Sequence, residues 1–261
     1  MLTIDLRGRR ALVTGAKSGI GAAIVAALAE AGADVAINFL RHPELAETGA
    51  ADARTRGVRA LTVEADVADA AAVAAMFGRL DDEWGGIDIL VNNAGIDGTR
   101  MSGAEADLAE WRQVLEVNLF GAFHCAREAL RRMLPQERGV ILNMTSVHEV
   151  IPWSGYSAYA ASKAGLSMLT RTLAQEAAPA NVRVLSLAPG AIKTAINRSV
   201  WSDAAGLADL NAKIPMGRMG EPAEIARMAT VLVSDVASYA SGTTVFVDGG
   251  MSDYADFSHG G

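Results

Sequence analysis

Short apolar runs alternate along the chain with longer amphipathic segments. Such runs are typical of buried β-strands, and the longer segments have the period of helices. Runs such as Ile87–Val91 and Val140–Met144 are apolar at nearly every position, as expected for strands that are covered on both faces. Strands that alternate with crossover helices form a parallel sheet between two helical layers. The pattern predicts an α/β fold, a doubly wound parallel sheet of about seven strands, near residues 11–14, 34–38, 59–63, 87–91, 139–144, 182–187 and 243–247.

Candidate functional residues lie where these strands end. Gly15, Asp66, Asn92, Ser146 and Pro189 each follow a predicted strand. In doubly wound sheets, ligands bind in the crevice outside the carboxyl ends of the strands. We therefore expect one edge of the sheet to carry the functional site.

The first predicted strand runs into a glycine-rich turn, Gly15–Gly21, and then into an alanine-rich helix. Glycine lets the backbone turn sharply and approach a pyrophosphate, whose charge is met by the amides at the positive end of the helix. The spacing Gly-x-x-x-Gly-x-Gly differs from the Gly-x-Gly-x-x-Gly dinucleotide fingerprint. By itself this segment predicts either a phosphate-binding loop or a structural tight turn.

A tyrosine and a lysine, Tyr159 and Lys163, are four positions apart, and Ser146 precedes the tyrosine by thirteen. Residues i and i+4 share a helix face, so the ammonium is expected beside the phenol. A free tyrosine has a pKa of about 10, and a nearby cation favours the phenolate. The pair predicts either a proton relay for an alcohol or carbonyl group or a solvated helix face.

Taken together, these motifs resemble the short-chain dehydrogenase/reductase family, in the family's order and spacing over essentially the whole chain. The residues that carry the resemblance are Thr14-Gly15-x-x-x-Gly19-Ile20-Gly21, Asn92–Gly95, Asn118, Ser146, Tyr159-x-x-x-Lys163 and Pro189-Gly190. A narrower resemblance, to bacterial glucose 1-dehydrogenases, is carried by Ser146–Trp153, Pro189–Ile192, Ile214–Gly217 and Asp248–Met251. The resemblance implies a Rossmann-type fold, a nicotinamide cofactor and a homotetramer.

The resemblance assigns the catalytic chemistry to four residues. Tyr159 is the acid/base in contact with the substrate oxygen, and Lys163 lowers the pKa of Tyr159 and holds the nicotinamide ribose. Ser146 hydrogen-bonds the same substrate oxygen and orients it. Asn118 anchors a water that links Lys163 to solvent; alternatively, it is a buried polar helix residue whose amide is satisfied by the backbone.

The resemblance also implies which residues bind the cofactor. NAD-specific members carry an aspartate where this chain has Phe39, so no acid is present there to bind the ribose 2′-hydroxyl. Lys17 and Arg41 are available for a 2′-phosphate, or are ordinary exposed cations; NADP is favoured, and NAD is also compatible. Asp66 either contacts the adenine or caps the helix predicted near Ala68. The other implied cofactor residues are Gly15, Ser18, Gly19, Ile20, Gly21, Val67, Asn93, Ala94, Gly95, Tyr159, Lys163, Pro189, Gly190, Ile192 and Thr194.

On the substrate side, the resemblance to glucose dehydrogenases assigns the binding of sugar hydroxyls to the positions that here hold Asp97 and His148. Asp97 is shorter than the glutamate expected at its position, and His148 is alternatively a surface histidine. Two arginines, Arg100 and Arg198, either serve an anionic substrate or are solvated.

Two further segments are implied by the resemblance. Residues 191–214 correspond to the family's substrate lid and suit a helical flap. The C-terminal tail, residues 251–261, either reaches the active site of a neighbouring subunit or is a frayed terminus. No metal site is predicted, because no carboxylate or cysteine lies at ligand spacing from the remaining histidines, His42, His124 and His259.

Composition agrees with a single enzyme domain that spans residues 1–261. A chain of this length with 51% hydrophobic content can bury a large core. The net charge of −7 and the absence of a basic cluster argue against nucleic acid and anionic membranes as partners. The one cysteine, Cys125, excludes an internal disulfide, and Met1–Arg10 lack the apolar run of a signal peptide. No apolar run reaches the about 18 residues of a membrane helix, so we expect a cytoplasmic protein with a small-molecule substrate.

We therefore expect an oxidoreductase that oxidises the anomeric hydroxyl of an aldose, glucose-like or acidic or sulfonated, to a lactone with NADP or NAD. The alternative enzyme is a carbonyl or 3-oxoacyl reductase that acts on an apolar ketone. A third alternative is a nucleotide-binding sensor or scaffold without turnover. The intact set of Asn118, Ser146, Tyr159 and Lys163 favours an enzyme.

Overall fold

The computed structural model describes residues 4–195 and 197–253. The described chain contains seven β-strands, and each begins and ends within two residues of its predicted position. Their bounds are β1 Arg10–Val13, β2 Asp34–Phe39, β3 Ala60–Glu64, β4 Ile89–Asn92, β5 Gly139–Met144, β6 Val182–Pro189 and β7 Thr244–Val247. The predicted α/β fold is confirmed.

Helices connect the strands. In the described part of the chain they are α1 Gly19–Glu30, α2 Pro43–Thr55, α3 Ala70–Trp84, α4 Leu108–Leu115, α5 Gly121–Met133, α6 Ser157–Ala177, α7 Arg198–Trp201, α8 Ala204–Asn211 and α9 Pro222–Val233. A π-helical segment, Glu116–Phe120, joins α4 to α5, and a 3₁₀ turn, Val147–Glu149, follows β5.

The strands form one parallel sheet in the order β3-β2-β1-β4-β5-β6-β7. The order reverses at β1, where Val13 pairs with Ile37 of β2 on one side and Val91 of β4 on the other. Ligands of doubly wound sheets bind in the crevice at such a reversal. The topology therefore places the glycine-rich turn after β1 beside the turn that follows β4.

Two apolar layers hold the sheet between the helices. On one face Ile24 of α1 and Ile225 of α9 are fully buried, and on the other face Phe77 of α3 and Met133 of α5 are fully buried. Burial of each such side chain contributes about 1.5–3 kcal/mol to the free energy of unfolding. These layers give the carboxyl edge of the sheet a rigid base. No helix within the two described ranges is long and apolar enough to span a membrane.

Candidate active site

The turn after β1 presents backbone amides to the carboxyl edge of the sheet. Gly15 and Gly19 adopt positive φ angles of 60° and 59°, which glycine tolerates without strain. Within the described residues, no side chain caps α1 at Ser18, and the first turn of α1 has no acidic residue. The first N–H groups of a helix lack partners inside the helix, so this end of α1 attracts an anion such as a phosphate.

Thr14 joins this turn to the one after β4. Its Oγ1 accepts hydrogen bonds from the backbone N–H groups of Asn93 at 2.9 Å and Ala94 at 3.0 Å. Asn93 Nδ2 donates in return to the Thr14 carbonyl at 2.9 Å. A Cβ on Gly21 would lie 2.5 Å from Asn93 Nδ2, so α1 approaches this turn closely only because the residue is glycine. The sequence assigned no role to the Thr14 side chain, because its partners lie about 80 residues away.

Asn118 lies in the π-helical segment and is only 1% exposed. Its Oδ1 accepts from the Ile96 N–H at 2.8 Å, and its Nδ2 donates to the Ile96 carbonyl at 2.9 Å and to Ser162 Oγ at 3.1 Å. The Gly121 N–H bonds to the Glu116 carbonyl, five residues back, in the pattern of a π-bulge; such bulges are frequent at functional sites. Both amide protons of Asn118 are thus donated within the protein, and Oδ1 accepts one hydrogen bond.

Ser146, Tyr159 and Lys163 converge at the end of β5. Lys163, on α6, donates from Nζ to the Met144 carbonyl at 2.8 Å and lies 5.5 Å from the centroid of the Tyr159 ring. Ser146 lies near enough to the Tyr159 phenol to lower its pKa, and Ser146 Oγ accepts from the His148 N–H at 3.2 Å. The ammonium therefore lies beside the phenol, as the spacing of four predicts.

Burial sets the proton affinities of this pair. Desolvation raises the pKa of Tyr159 to about 12, although the hydrogen bond with Ser146 opposes this and the charge of Asp97 adds to it. Desolvation lowers the pKa of Lys163 to about 8, against the attraction of Asp97 and Glu149. The pKa of Tyr159 is thus shifted in the direction opposite to the one predicted from the charge of Lys163. Loss of water around the phenol is the largest cause of this shift in pKa.

One cleft of about 1330 Å³ runs along the carboxyl edge of the sheet. It is lined by all the catalytic, cofactor and substrate residues that the resemblance implied except Asn118 and Arg198, whereas Asn92, at the end of β4, does not line it. Asn118 is buried and bonded to Ile96, which does line the cleft. Arg198 begins α7, is exposed, and has its guanidinium 5.9 Å from the centroid of the Trp201 ring. The volume exceeds the about 300–1,000 Å³ of a single-ligand pocket, which suits a dinucleotide together with a small substrate.

The end of β2 carries no carboxylate. β2 ends at Phe39, which is buried, and the exposed Arg41 lines the cleft together with the half-buried Lys17. Asn38 contributes to this corner, because its Oδ1 accepts from the Gly15 N–H at 3.2 Å. The two cations therefore border the same part of the cleft as the glycine-rich turn.

Asp66 and Val67 border the cleft after β3. Asp66 Oδ1 accepts from the Ala68 N–H at 2.9 Å. The alternative that Asp66 caps the following helix is wrong, because α3 begins at Ala70 and is capped by Asp69, whose carboxylate accepts from the Ala71 N–H at 2.8 Å.

Aromatic rings form the wall of the cleft beyond the catalytic residues. His148 stacks on Trp153 with 4.4 Å between ring centroids, and Trp153 stacks on Tyr156 at 3.9 Å. His148 Nδ1 lies 3.1 Å from the Ile151 carbonyl, which requires a proton on Nδ1 and leaves Nε2 as an acceptor in the neutral ring. Burial lowers the pKa of His148, which favours that neutral form. His148 is thus no isolated surface histidine.

Trp153 and Tyr156 were missed in the sequence interpretation. The signal that points to them is a pair of aromatic residues between Ser146 and Tyr159, on either side of Gly155. Gly155 has a φ of 90°, and a Cβ there would lie 2.6 Å from Arg100 Cγ. Arg100 therefore packs against the aromatic segment while it lines the cleft.

The segment 191–214 carries α7 and α8, and Val200, Leu210 and Lys213 line the cleft from this side. A helical segment over the cleft was predicted here. The predicted contact of the tail residues Tyr254–His259 with a neighbouring subunit lies outside the described residues. Within the described ranges, no group of three or more His, Cys, Asp or Glu side chains could hold a metal ion.

Comparisons with known proteins agree on the family. Residues 15–252 match the family described as enoyl-(acyl carrier protein) reductase. The chain is 42% identical over 257 residues to 3β-hydroxysteroid dehydrogenase 1 of Eggerthella lenta, covering 98% of each. It is 38% identical over 251 residues to glucose 1-dehydrogenase 2 of Bacillus subtilis, covering 96% of this chain and 97% of that protein.

Solved structures lead to the same assignment. The crystal structure of a gluconate 5-dehydrogenase from Burkholderia cenocepacia J2315, in complex with NADP and tartrate, superimposes with a TM-score of 0.91 and 37% identity. The match covers 97% of this chain and 98% of that one. With its seven-stranded parallel sheet and its grouped serine, tyrosine and lysine, the chain belongs to the short-chain dehydrogenase/reductase family, whose members are NAD(P)-dependent oxidoreductases.

Proposed function

We propose that the protein oxidises the anomeric hydroxyl of a neutral aldose to a lactone, with NADP or NAD as the acceptor. The observation that carries this proposal is the carboxyl group of Asp97, which lines the cleft together with Tyr159. Burial raises the pKa of Asp97, and the charge of Lys163 opposes this shift. An ionised carboxylate accepts several hydrogen bonds. A sugar supplies the hydroxyl donors for them, whereas an apolar ketone leaves the carboxylate unpaired.

The neutral imidazole of His148 is the second anchor for a sugar. Its Nδ1 is occupied by the Ile151 carbonyl, so Nε2 is free to accept from a hydroxyl. Trp153, stacked on the other side of the imidazole, keeps the ring in place. Asp97 and His148, the two acceptors, both line the cleft.

The residues of the cleft fit a nicotinamide dinucleotide. The uncapped start of α1 and the close approach at Gly21 suit the pyrophosphate, and Lys17 and Arg41 suit a 2′-phosphate, so NADP is favoured over NAD. When bound, the nicotinamide accepts or supplies the hydride. The gluconate 5-dehydrogenase structure, which holds NADP, supports the same preference.

The side chains of this protein handle the proton. Ser146 and Tyr159 hydrogen-bond the substrate oxygen. In the direction of reduction the Tyr159 phenol gives its proton to that oxygen and becomes a phenolate; in the direction of oxidation Tyr159 first loses its proton to solvent, and the phenolate then takes the proton of the substrate hydroxyl. The ammonium of Lys163 stabilises the phenolate that forms, because desolvation strengthens the attraction between the two charges. Asn118 keeps the Ile96 turn, which carries Asp97, against the catalytic residues.

The charge of Asp97 also selects against anions. A sugar acid would bring a second negative charge to a partly desolvated carboxylate, and like charges repel strongly where water is excluded. Arg198 does not border the cleft, so its positive charge does not offset this repulsion. Arg100 does border the cleft. A neutral aldose is therefore favoured over the acidic or sulfonated sugars that the sequence left open.

A second candidate is the interconversion of a cyclic apolar alcohol and its ketone. The stacked Trp153 and Tyr156 form a flat apolar wall suited to a fused-ring substrate, and the similarity to a 3β-hydroxysteroid dehydrogenase supports this candidate. A 3-oxoacyl reductase activity remains the alternative of the same class, supported by 38% identity to 3-oxoacyl-[acyl-carrier-protein] reductase FabG of Staphylococcus aureus.

The test is a substrate panel followed through the absorbance of the reduced nicotinamide. Purified protein is incubated with NADP⁺ or NAD⁺ and glucose, galactose, gluconate or a 3β-hydroxysteroid, and with NADPH or NADH and a cyclic ketone or a 3-oxoacyl thioester. We expect turnover with neutral aldoses and higher kcat/KM with NADP⁺. Turnover confined to steroid or ketone would establish the second candidate, and cofactor binding without turnover on any compound would indicate a sensor.

We also propose that the protein is a homotetramer in the cytoplasm. Apolar side chains are exposed at two places. At the first, Phe120 directly precedes α5 and Phe123 lies on it; at the second, Val236 and Tyr239 precede β7 and Phe246 lies on it. Exposed apolar patches of this kind commonly mark subunit interfaces. Light scattering coupled to size-exclusion chromatography gives the subunit number, and a mass of one or two chains would contradict the proposal.

A further inference from the structure

Glu149 ends the 3₁₀ turn that follows β5, next to residues of the candidate active site. Ser146 and His148, which precede it, line the cleft, whereas Glu149 does not. Its Oε1 instead accepts a hydrogen bond from Ser167 Oγ at 2.9 Å. The carboxylate of Glu149 therefore contacts α6 rather than the cleft.

This contact places Glu149 on the face of α6 that carries Lys163. Ser167 lies four residues after Lys163, so the two side chains share a helix face. Both residues are buried, with exposed fractions of 8% and 5%. At the end of β5 the Met144 carbonyl accepts from Lys163 Nζ at 2.8 Å. Glu149 and Lys163 thus take part in one buried contact between α6 and the segment at the end of β5.

The second carboxylate oxygen of Glu149, Oε2, is buried and has no hydrogen-bond partner among the described residues. Burial of a charge is costly unless an opposite charge or a hydrogen bond compensates it. An ammonium has three protons to donate, and the Met144 carbonyl takes one of those of Lys163. The charges of Glu149 and Lys163 attract, and this attraction opposes the desolvation that lowers the pKa of Lys163.

Titratable groups surround Lys163 from three elements. They are Asp97 in the turn after β4, Glu149 in the 3₁₀ turn after β5, and Tyr159 one turn earlier on α6, with the His148 ring 6.2 Å from that of Tyr159. Asp97 lines the cleft, where the proposed substrate engages it. Glu149 lies outside the cleft, so its charge stays beside Lys163 whether or not the cleft is filled.

We propose that Glu149 is a positioning residue: its carboxylate keeps Lys163 in the ammonium form and thereby sets the upper pH limit at which Tyr159 can give its proton to a carbonyl oxygen. Above that limit the phenolate left on Tyr159 loses the cation beside it, so reduction slows. The inference rests on the proposed proton step at Tyr159 and Lys163, and it does not depend on which substrate is turned over.

Glu149→Gln tests the charge, because the amide oxygen can still accept from Ser167. Urea unfolding is measured without ligand at pH 6.5 and pH 10 for wild type, Glu149→Gln, Lys163→Met and the double variant. At pH 6.5 we expect Glu149→Gln to lower the urea midpoint of wild type, and to leave that of Lys163→Met unchanged or raise it. At pH 10 the folded lysine is neutral, so Glu149→Gln should have the same effect in both backgrounds.

A second readout is the pH dependence of kcat/KM for reduction, with NADPH and a carbonyl compound that the substrate panel identifies. The pH at which activity falls by half on the alkaline side should decrease by about 1 in Glu149→Gln. Glu83→Gln is the matched control, because Glu83 is exposed on α3 and the substitution makes the same change in net charge. It should keep the wild-type pH profile and urea midpoint.

Equal effects of Glu149→Gln in both backgrounds at pH 6.5 would overturn the proposal and leave Glu149 a structural role only. An unchanged alkaline limit of reduction would also overturn it. If Glu149→Gln folds only together with Lys163→Met, the charge interaction is supported; if it folds in neither background, the proposal fails. The unfolding comparison needs no turnover, so its outcome is separate from that of the aldose assignment.

Discussion

The side chain of Asn118 forms a pair of hydrogen bonds with the backbone of Ile96, accepting from its N–H at 2.8 Å and donating to its carbonyl at 2.9 Å. This pair connects the π-helical segment to the turn that carries Asp97. In Asn118→Leu both backbone groups of the half-buried Ile96 lose their partner, and each lost hydrogen bond costs about 0.5–1.5 kcal/mol. We expect lower stability in urea together with a fall in kcat.

Glu116→Gln is the control for that measurement, because Glu116 is exposed in the same π-helical segment. It should unfold at the wild-type urea concentration and retain turnover. Wild-type stability in Asn118→Leu would show that the pair of bonds with Ile96 does not hold the turn.

Tyr159→Phe removes the hydroxyl that exchanges a proton with the substrate. Loss of a general acid/base reduces turnover by about 10²–10⁴-fold, whereas the aromatic contacts of the ring with His148 and Trp153 persist. We expect wild-type cofactor affinity and thermal stability with that loss of kcat, measured by calorimetry and by steady-state kinetics. Retained turnover in Tyr159→Phe would exclude the phenol as the proton carrier.

The lowered pKa of Lys163 makes stability depend on pH. Between its folded pKa of about 8 and its ordinary value of 10.5, the unfolded chain binds a proton at this lysine that the folded chain does not. The free energy of unfolding contributed by Lys163 therefore rises with pH across this window and is lowest below it. Lys163→Met removes the buried charge.

We expect Lys163→Met to be more stable than wild type at pH 7 by up to about 3 kcal/mol, and the difference to narrow between pH 8 and pH 10. Urea unfolding at several pH values measures it. The raised pKa of Tyr159 makes the free energy of unfolding fall with rising pH, but only above pH 10, where the phenol of the unfolded chain ionises before that of the folded chain. If the difference in the free energy of unfolding between Lys163→Met and wild type stays constant or widens from pH 8 to pH 10, folding does not lower the pKa of Lys163.

Asp97→Asn tests the acceptor on the substrate side. A hydrogen bond to a charged group is worth about 1.5–3 kcal/mol, so KM for a neutral aldose should rise roughly 10- to 100-fold. Removal of the negative charge should at the same time raise kcat/KM for gluconate relative to glucose. Asp82→Asn, exposed on α3, controls for the change of net charge. An unchanged ratio of gluconate to glucose use would contradict the selection by charge.

Gly21→Ala tests the close approach of α1 to the turn after β4. The added methyl would meet Asn93 Nδ2 at 2.5 Å and Ala16 Cα at 2.8 Å, so the turn must shift. We expect cofactor affinity to fall at least tenfold, together with a lower melting temperature. Gly78→Ala is the matched control, because Gly78 lies inside α3 with open space around its Cα; it should gain about 0.5–1 kcal/mol in the free energy of unfolding.

Much of the fold and of the site follows from local pattern. The alternation of apolar runs and helical segments predicted all seven strands, and their parallel arrangement followed from the crossover helices. The motifs at the strand ends then predicted one shared edge. Except for Asn92, Asn118 and Arg198, the named site residues line the same cleft, since the carboxyl ends of parallel strands meet at one edge of the sheet.

Other features depend on residues that are distant in sequence. The aspartate that caps α3 is Asp69 rather than Asp66, because the chain turns once more before the helix begins. The role of Thr14 depends on a partner that only the reversal of strand order brings near. The wall of Trp153 and Tyr156 likewise follows from side-chain stacking that has no periodic signature.

The sequence by itself determined the sheet, its functional edge and the residue types available for chemistry, because apolar periodicity and turn composition are local properties of the chain. Tertiary structure alone decided the direction in which the pKa values of Tyr159 and Lys163 shift, the orientation of His148 and the position of Arg198 outside the cleft. The pKa shifts depend on how much water the packed segments exclude, and the side-chain positions depend on which acceptors lie within about 3 Å. Packing sets both, and it joins segments that are far apart in the sequence.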